Sequence, residues 1–192
     1  LLSTLEESLP GIELVIEEVE ERAALAQLRQ GALDLALLER DSHTLPAPPR
    51  AMNDVPLLDE SWLVVVPPGR AVPSTLADLA SATWIDQDPS SAGAFALARL
   101  SRRLGAPLTV RHVVHDDDVV LAMVGQGLGY ALLPELAVHS GAVPDGVVVS
   151  SPPGLGTRQL VVRHRVTRTE PTSAVRAVLE ALLARAQALE LG

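Results

Sequence analysis

The chain has 192 residues, 47% of them hydrophobic, enough for one ordinary core or two small ones, and no stretch approaches the length of a membrane span. It contains no cysteine, so disulfides and thiolate metal sites are excluded; with an acidic N-terminal sequence unlike a signal peptide, this points to the cytoplasm. The net charge of −9, with all 15 basic residues arginine and no basic stripe interleaved with aromatics, argues against nucleic-acid binding by this segment itself.

Hydrophobic periodicity and breaker residues predict the elements in chain order. A helix ends near Ser8, and a strand over residues 12–19, a helix over 20–30 and a strand over 33–39 follow. The proline-rich stretch 41–50 reads as a loop, and 57–58 and 62–66 as two short extended runs. Pro67-Pro68-Gly69 marks a crossover into a second lobe. That lobe is expected to hold a short helix at 76–79, strands at 84–86 and 109–115, a helix at 91–104 between them, a helix at 117–126, and strands at 130–133 and 147–149. Residues 152–156, rich in proline and glycine, return the chain to the first lobe, where 159–163 adds a strand and an amphipathic helix over 172–189 packs. The alternation favours parallel-type α/β sheets, and two crossings between lobes make a hinge with a cleft.

Two helix-to-strand joints carry the most information. In Gly31-Ala32-Leu33-Asp34-Leu35-Ala36-Leu37 an amphipathic helix stops at a glycine and a short apolar strand follows at once. In Val124-Gly125-Gln126-Gly127-Leu128-Gly129-Tyr130-Ala131-Leu132-Leu133-Pro134 a second helix stops at Gly127, and the strand after it is apolar enough to be buried on both faces. The two blocks match, almost position for position, the patterns G-x-L-D-x-A-L and V-x-x-G-x-G-x-x-x-L-P of the effector-binding domain of LysR-type transcriptional regulators, which this chain resembles along its whole length. Leu9-Pro10-Gly11-Ile12, Leu57-Leu58-Asp59-Glu60-Ser61-Trp62, Leu76-Ala77-Asp78-Leu79 with Trp84-Ile85, and Gln159-Leu160-Val161-Val162-Arg163 fall in the family's order.

The resemblance implies a two-lobed type 2 periplasmic-binding-protein-like fold, α/β in class, with an interdomain cleft and two hinge crossovers. Residues 1–70 and 158–192 would form regulatory subdomain I, and residues 71–157 subdomain II. Members of the family begin this domain with a strand before the first helix; its equivalent is expected to be missing, because the chain starts inside that helix.

Candidate site residues follow from the residues themselves and from the resemblance. Asp88-Pro89-Ser90-Ser91-Ala92-Gly93 joins a strand to a helix, where free N–H groups and the helix dipole favour an anion. Simple N-capping by Ser90 or Ser91 is the competing reading, and a dual role for Ser90, Ser91 and Ala92 is favoured, since ligands sit beyond the carboxyl ends of strands in open α/β sheets. His115-Asp116-Asp117-Asp118 concentrates potential metal ligands, but successive residues at a helix start point in different directions; Asp116 or Asp117 reads better as a helix cap. By resemblance the position of Asp116 faces the cleft, as do Glu21 at the start of the second helix and Ser61 beside the hinge. The glycines of residues 125–129 follow a helix and precede a strand, the reverse of a dinucleotide fingerprint, and read as structural. No nucleophile elbow, zincin pair or Ser-x-x-Lys motif is present, so neither catalysis nor a cofactor or metal is expected.

The leading reading is an effector-sensing and oligomerising domain of a bacterial regulator. It binds a small molecule, an organic acid among the candidates, between its lobes and so modulates an N-terminal helix-turn-helix domain outside this sequence. A homodimer through the first helix and the helix at 117–126 is implied by the resemblance, with a homotetramer as the full-length alternative. A free-standing solute-binding protein and a small dehydratase-like enzyme of the same fold are the rivals.

Overall fold

The computed structural model describes residues 9–43, 47–169 and 171–189. Helix α1 (Glu21–Gln30) buries Ala24 and Leu28, one turn apart on a single face, and ends where Gly31 takes φ 80 and donates its N–H back to the last turn. Strand β1 (Leu35–Asp41) starts four residues later and alternates, Ala36 and Leu38 inward against α1 and Leu37 outward.

Strand β2 (Met52–Val66) organises the rest. Over Met52 to Ser61 it pairs antiparallel with β7 (Thr157–Arg165), which in turn pairs antiparallel with β1. From Trp62 to Val65 it pairs instead with β5 (Tyr130–Pro134), while Val64 to Val66 also hold the short strand β6 (Val148–Ser150) on the other edge. Beyond β5 lie β3 (Thr83–Asp86) and β4 (Thr109–Val113), both parallel. Parallel pairing is thus confined to β3, β4 and β5, which are joined by α2 (Ala92–Leu104) and α3 (Asp117–Gly125), because only strands linked by a helical crossover can run parallel as neighbours. The other pairs are antiparallel, a mixture that the expected parallel-type alternation did not distinguish.

Each half of the sheet is covered on both faces. In the β5–β3–β4 half, Trp62, Val64, Val66, Trp84 and Leu132 turn toward α2 and the 3-10 helix Leu76–Leu79. Val65, Ile85, Ala131 and Leu133 turn the opposite way, onto α3 and the short helix α4 (Glu135–Ser140). This explains why residues 130–133 read as apolar throughout. In the β1–β7 half, α1 covers one face, and α5 (Ser173–Gln187) covers the other through Val175 and Leu179 against Val162. The terminal helix therefore packs where its periodicity predicted.

Two expectations need correction. Residues 12–19 form no strand, and Val15 and Ile16 are 76% and 63% exposed. A strand persists only where a neighbour takes its hydrogen bonds, and among the described strands β1 pairs with β7 alone. The two extended runs at 57–58 and 62–66 belong to one strand, because the polar residues between them, Asp59, Glu60 and Ser61, stay in the ladder opposite Gln159, Arg158 and Thr157. The ladder partner of β2 changes at Ser61/Trp62, inside the strand and ahead of the Pro67-Pro68-Gly69 turn. The helix expected to end near Ser8 lies outside the described residues.

The two halves are also tied by a buried ion pair. Arg99 on α2 donates from Nε (3.1 Å) and Nη2 (2.9 Å) to the carboxylate of Asp41 at the end of β1, which has no exposed surface. Removing one partner strands a desolvated charge, so Asp41→Ala is expected to lower stability by about 3–5 kcal/mol. The double variant Asp41→Leu with Arg99→Met should recover most of that loss, both being read from urea unfolding midpoints at constant m-value.

Candidate functional site

The place where β2 changes partners is polar and closely hydrogen-bonded. Arg158 at the start of β7 directs Nε (2.8 Å) and Nη2 (2.6 Å) to Oε1 of Glu60, and Nη1 (2.7 Å) to Oε1 of Glu39 on β1. Glu60 and Arg158 are opposite one another in the ladder and both are buried. The second oxygen of Glu60 accepts the N–H of Leu136 at 2.6 Å, so one carboxylate joins β7 to the first turn of α4. The Ser61 N–H points to Glu135 at 3.4 Å, and the Trp62 N–H donates to the Gly156 carbonyl on the returning chain.

Facing this is a wall built from the carboxyl end of β3 and the starts of α2 and α3. Ser91 caps α2, its hydroxyl accepting the Ala94 N–H, and Ser90 is turned to Asp88, which accepts both its N–H (2.8 Å) and its hydroxyl. The N–H groups of Ala92 and Gly93 have no hydrogen-bond partner among the described residues. A Cβ at Gly93 would lie 1.9 Å from Oε1 of Gln87, so only glycine lets that side chain cross the start of α2. Gln87 reaches on to donate from Nε2 to Asp117 at 2.6 Å, coupling the starts of the two helices.

Asp116 is the cap of α3, its Oδ1 accepting the N–H groups of Asp118 (2.9 Å) and Val119 (3.0 Å). Asp117, the next residue, is the one turned inward. Burial raises its pKa above the ordinary carboxylate value; the Arg158 charge opposes that, and Glu39 reinforces it. These two influences come from the opposite wall, so Asp117 and the Arg158 cluster border the same space. Asp86 at the end of β3 is likewise raised by burial, whereas Asp88 is lowered, chiefly by the Ser90 hydroxyl.

Of the residues singled out in the sequence, Ser90, Ser91 and Ala92 lie together at the start of α2, Asp116 lies at the start of α3, and Ser61 lies at the partner change. Glu21 is engaged elsewhere, its carboxylate holding Arg40 at 2.5 and 2.9 Å. Sequence reasoning missed Arg158, Glu39, Gln87 and Asp117. Arg158 and Glu60 belong to strands nearly a hundred positions apart, and no local pattern pairs them; Asp117 sat inside an acidic run whose members look alike until the helix start is oriented. Among the described residues no group of three or more His, Cys, Asp or Glu is arranged to hold a metal ion, and His115 stands 3.9 Å from Asp88 alone. The hydroxyl, amide and carboxylate groups that border this space suit recognition by hydrogen bonding.

Comparison with known proteins agrees with this architecture. The chain is 38% identical over 86 residues to a "Probable hydrogen peroxide-inducible genes activator" of Mycobacterium avium, a match covering 41% of this chain and 26% of that protein. The chain therefore spans only about a quarter of the length of that relative. Among solved structures, the Synechocystis PCC6803 CcmR regulatory domain in complex with 2-PG superposes with a TM-score of 0.79 at 16% identity, covering 97% of this chain and 89% of that one. A Corynebacterium glutamicum OxyR C206 mutant superposes with a TM-score of 0.74 at 24% identity, covering 97% of this chain and 58% of that one. Both likenesses establish the fold. The sequence model of the LysR substrate binding domain matches residues 1–187, and the chain accordingly belongs to that family, the substrate-binding domain of LysR-type transcriptional regulators.

Proposed function

We infer that this chain senses a small-molecule effector held between two lobes, residues 1–70 with 158–192 and residues 71–157, and passes the event to a DNA-reading domain elsewhere in a cytoplasmic regulator. The observation that carries this reading is the pair of unpartnered N–H groups of Ala92 and Gly93 at the start of α2, set at the carboxyl ends of parallel strands and facing the Arg158 cluster. Arg158 already spends one hydrogen bond from each of Nε, Nη1 and Nη2 on the carboxylates of Glu60 and Glu39, so its charge is matched within the protein. An acidic group would thus be met by the α2 backbone and the hydroxyls of Ser90 and Ser91. The carboxylates of Glu39 and Asp117 opposite favour a ligand that also carries hydroxyl or amino donors, and Ser61 and Asp116 would lie at its margins, whereas Glu21 would reach it only by releasing Arg40.

The peroxide-related name of the mycobacterial relative does not extend to thiol chemistry in this segment, because the sequence has no cysteine. A ligand read by shape and hydrogen bonds needs none. The exposed apolar groove on α3, lined by Val119, Ala122, Met123 and Leu128, supports a homodimer, with a homotetramer as the full-length alternative.

The reading is tested with a ligand found by thermal-shift screening. Ser90→Ala with Ser91→Ala should weaken its binding by about 1–3 kcal/mol. Ser91→Asp, which keeps a capping oxygen, should preserve the melting temperature yet also weaken an acidic ligand. Full-length protein should change its gel-shift pattern on adding the ligand and return that ligand unaltered. Equal binding by the double variant would refute the site, and conversion of the ligand would favour the enzyme reading.

Two further outcomes are expected. Val119→Glu places a charge in the apolar groove and should shift the sedimentation mass from dimer to monomer, with a dissociation constant raised about ten-fold or more. Because folding raises the Asp117 pKa, the folded state binds that proton more tightly, and stability declines as pH rises from the ordinary carboxylate value through the raised one. Asp117→Asn keeps the acceptor for Gln87 but removes this decline. Its melting temperature relative to the parent should therefore climb as pH rises from the ordinary carboxylate value through the raised one and level off above; a constant difference would contradict the assignment.

A further inference from the structure

The opposite end of the β5–β3–β4 half has its own cavity. Val66 is five residues along β2 from Ser61, about 17 Å at the rise of a strand, and beyond it β2 leaves the sheet through Pro67. There the beginnings of β3 and β5 border an opening of about 250 Å³, between Arg70, Ser81, Thr83, Arg111, Gly127 and Tyr130. That is somewhat below the ordinary range of drug-sized ligand sites and fits a small metabolite.

The charge of this opening runs against that of the chain. Arg40, Arg99, Arg158 and Arg163 are all held by carboxylates, whereas the guanidinium groups of Arg70 and Arg111, like those of several other surface arginines, make no ion pair or hydrogen bond among the described residues. What sets Arg70 and Arg111 apart is that, in a protein of net charge −9, both guanidinium groups line one cavity. The carboxylate at its rim, Asp78, is already committed to the turn before the 3-10 helix. It accepts the N–H groups of Ser74 (2.9 Å) and Thr75 (2.8 Å) and the Ser74 hydroxyl (3.2 Å).

The backbone is shaped to leave the space open. The β3–β4 ladder slips by one residue, Trp84 facing Val110 and Ile85 facing His112, so Arg111 is left as the extra residue of a bulge. Bulges re-aim the side chain they carry. Gly129 lies so close to the Thr83 carbonyl that a Cβ would approach it to 3.0 Å, which holds the Gly127-Leu128-Gly129 turn tight against the strand, while Gly127 has nothing near its own Cβ position. The hydroxyls of Ser81, Thr83 and Tyr130 donate to and accept from no described group, and the Tyr130 ring is steadied against Trp84 at a centroid distance of 6.1 Å.

We propose that this cavity is a second ligand site, separate from the crossover cleft, for a small organic anion bearing two separated acid groups. One acid group meets Arg70 and the other Arg111, each guanidinium offering a forked pair of donors, and the hydroxyls of Ser81, Thr83 and Tyr130 hold the body of the ligand. A dicarboxylate and a phosphorylated carboxylic acid share this chemistry.

The test is amide chemical-shift titration of the protein at low ionic strength with succinate, with 3-phosphoglycerate, and with acetate as the single-acid control. Succinate or 3-phosphoglycerate should give saturable shifts at Gly127, Gly129 and Tyr130 and leave Gln87, Ser91 and Asp117 in place, while acetate should not saturate. A response to succinate alone identifies a dicarboxylate site, and one to 3-phosphoglycerate alone a phosphorylated acid site. Arg70→Ala with Arg111→Ala should weaken binding about ten-fold or more; Tyr130→Phe, which keeps the ring on Trp84, should weaken it less, so a folding defect in the first variant cannot hide the result. Absence of saturation with both ligands, shifts at the crossover residues instead, or unchanged affinity without the two arginines would each overturn the proposal.

Discussion

The structure depends on a small set of guanidinium–carboxylate pairs placed where one strand is shared between two half-sheets. Arg158 with Glu60, and Arg99 with Asp41, lie at the partner change in β2 and are removed from solvent, while Glu39 meets Arg158 from the exposed side. Charges this deeply placed are stable only with every donor and acceptor matched. That requirement explains why Glu60 also takes the Leu136 N–H and why Trp62 finds the Gly156 carbonyl. A glycine at 156 is part of the same arrangement, since a Cβ there would come within 2.8 Å of the Arg99 guanidinium.

Around this polar junction the apolar material divides cleanly. Each half-sheet has helices on both faces and its own clusters of buried side chains, and the strand that joins them carries polar residues at 59–61 just where neither core needs it. Close-packed cores resist deformation, whereas a junction of hydrogen-bonded charges between them can adopt discrete alternatives. A ligand bridging the start of α2 and the Arg158 cluster would act on the one part of the molecule whose geometry the cores do not dictate.

The two ends of the β5–β3–β4 half differ in electrostatic character. At the crossover end, Glu39, Glu60 and Asp117 surround the carboxylate-paired Arg158 guanidinium, and burial keeps the Asp117 proton more tightly bound than usual. At the far end two guanidinium groups stand without carboxylate partners. The pattern follows from the register: the Glu60–Arg158 pair is enforced by the β2–β7 ladder, and Arg111 is released from pairing by a bulge in the β3–β4 ladder.

Much of the fold was legible in the sequence because its signals are local. Gly31 ending α1, the Leu76–Leu79 turn of helix, the continuous apolar run of β5 and the amphipathic face of α5 each follow from a few neighbouring residues, and so does the capping of α2 and α3 by Ser91 and Asp116. The family pattern rests on the same local joints. What only the tertiary structure decided is everything that needs two distant segments at once. Residues 12–19 have β-branched and apolar side chains suited to a strand but no described neighbour to bond with, and residues 57–66 look interrupted until Arg158 and Gln159 are set opposite Glu60 and Asp59. Likewise Asp117 differs from Asp116 and Asp118 only through the surroundings that bury it beside Gln87, Glu39 and Arg158. Periodicity reports which face of an element is apolar, but charge pairing and strand register are properties of contacts between elements, and a one-dimensional pattern does not contain them.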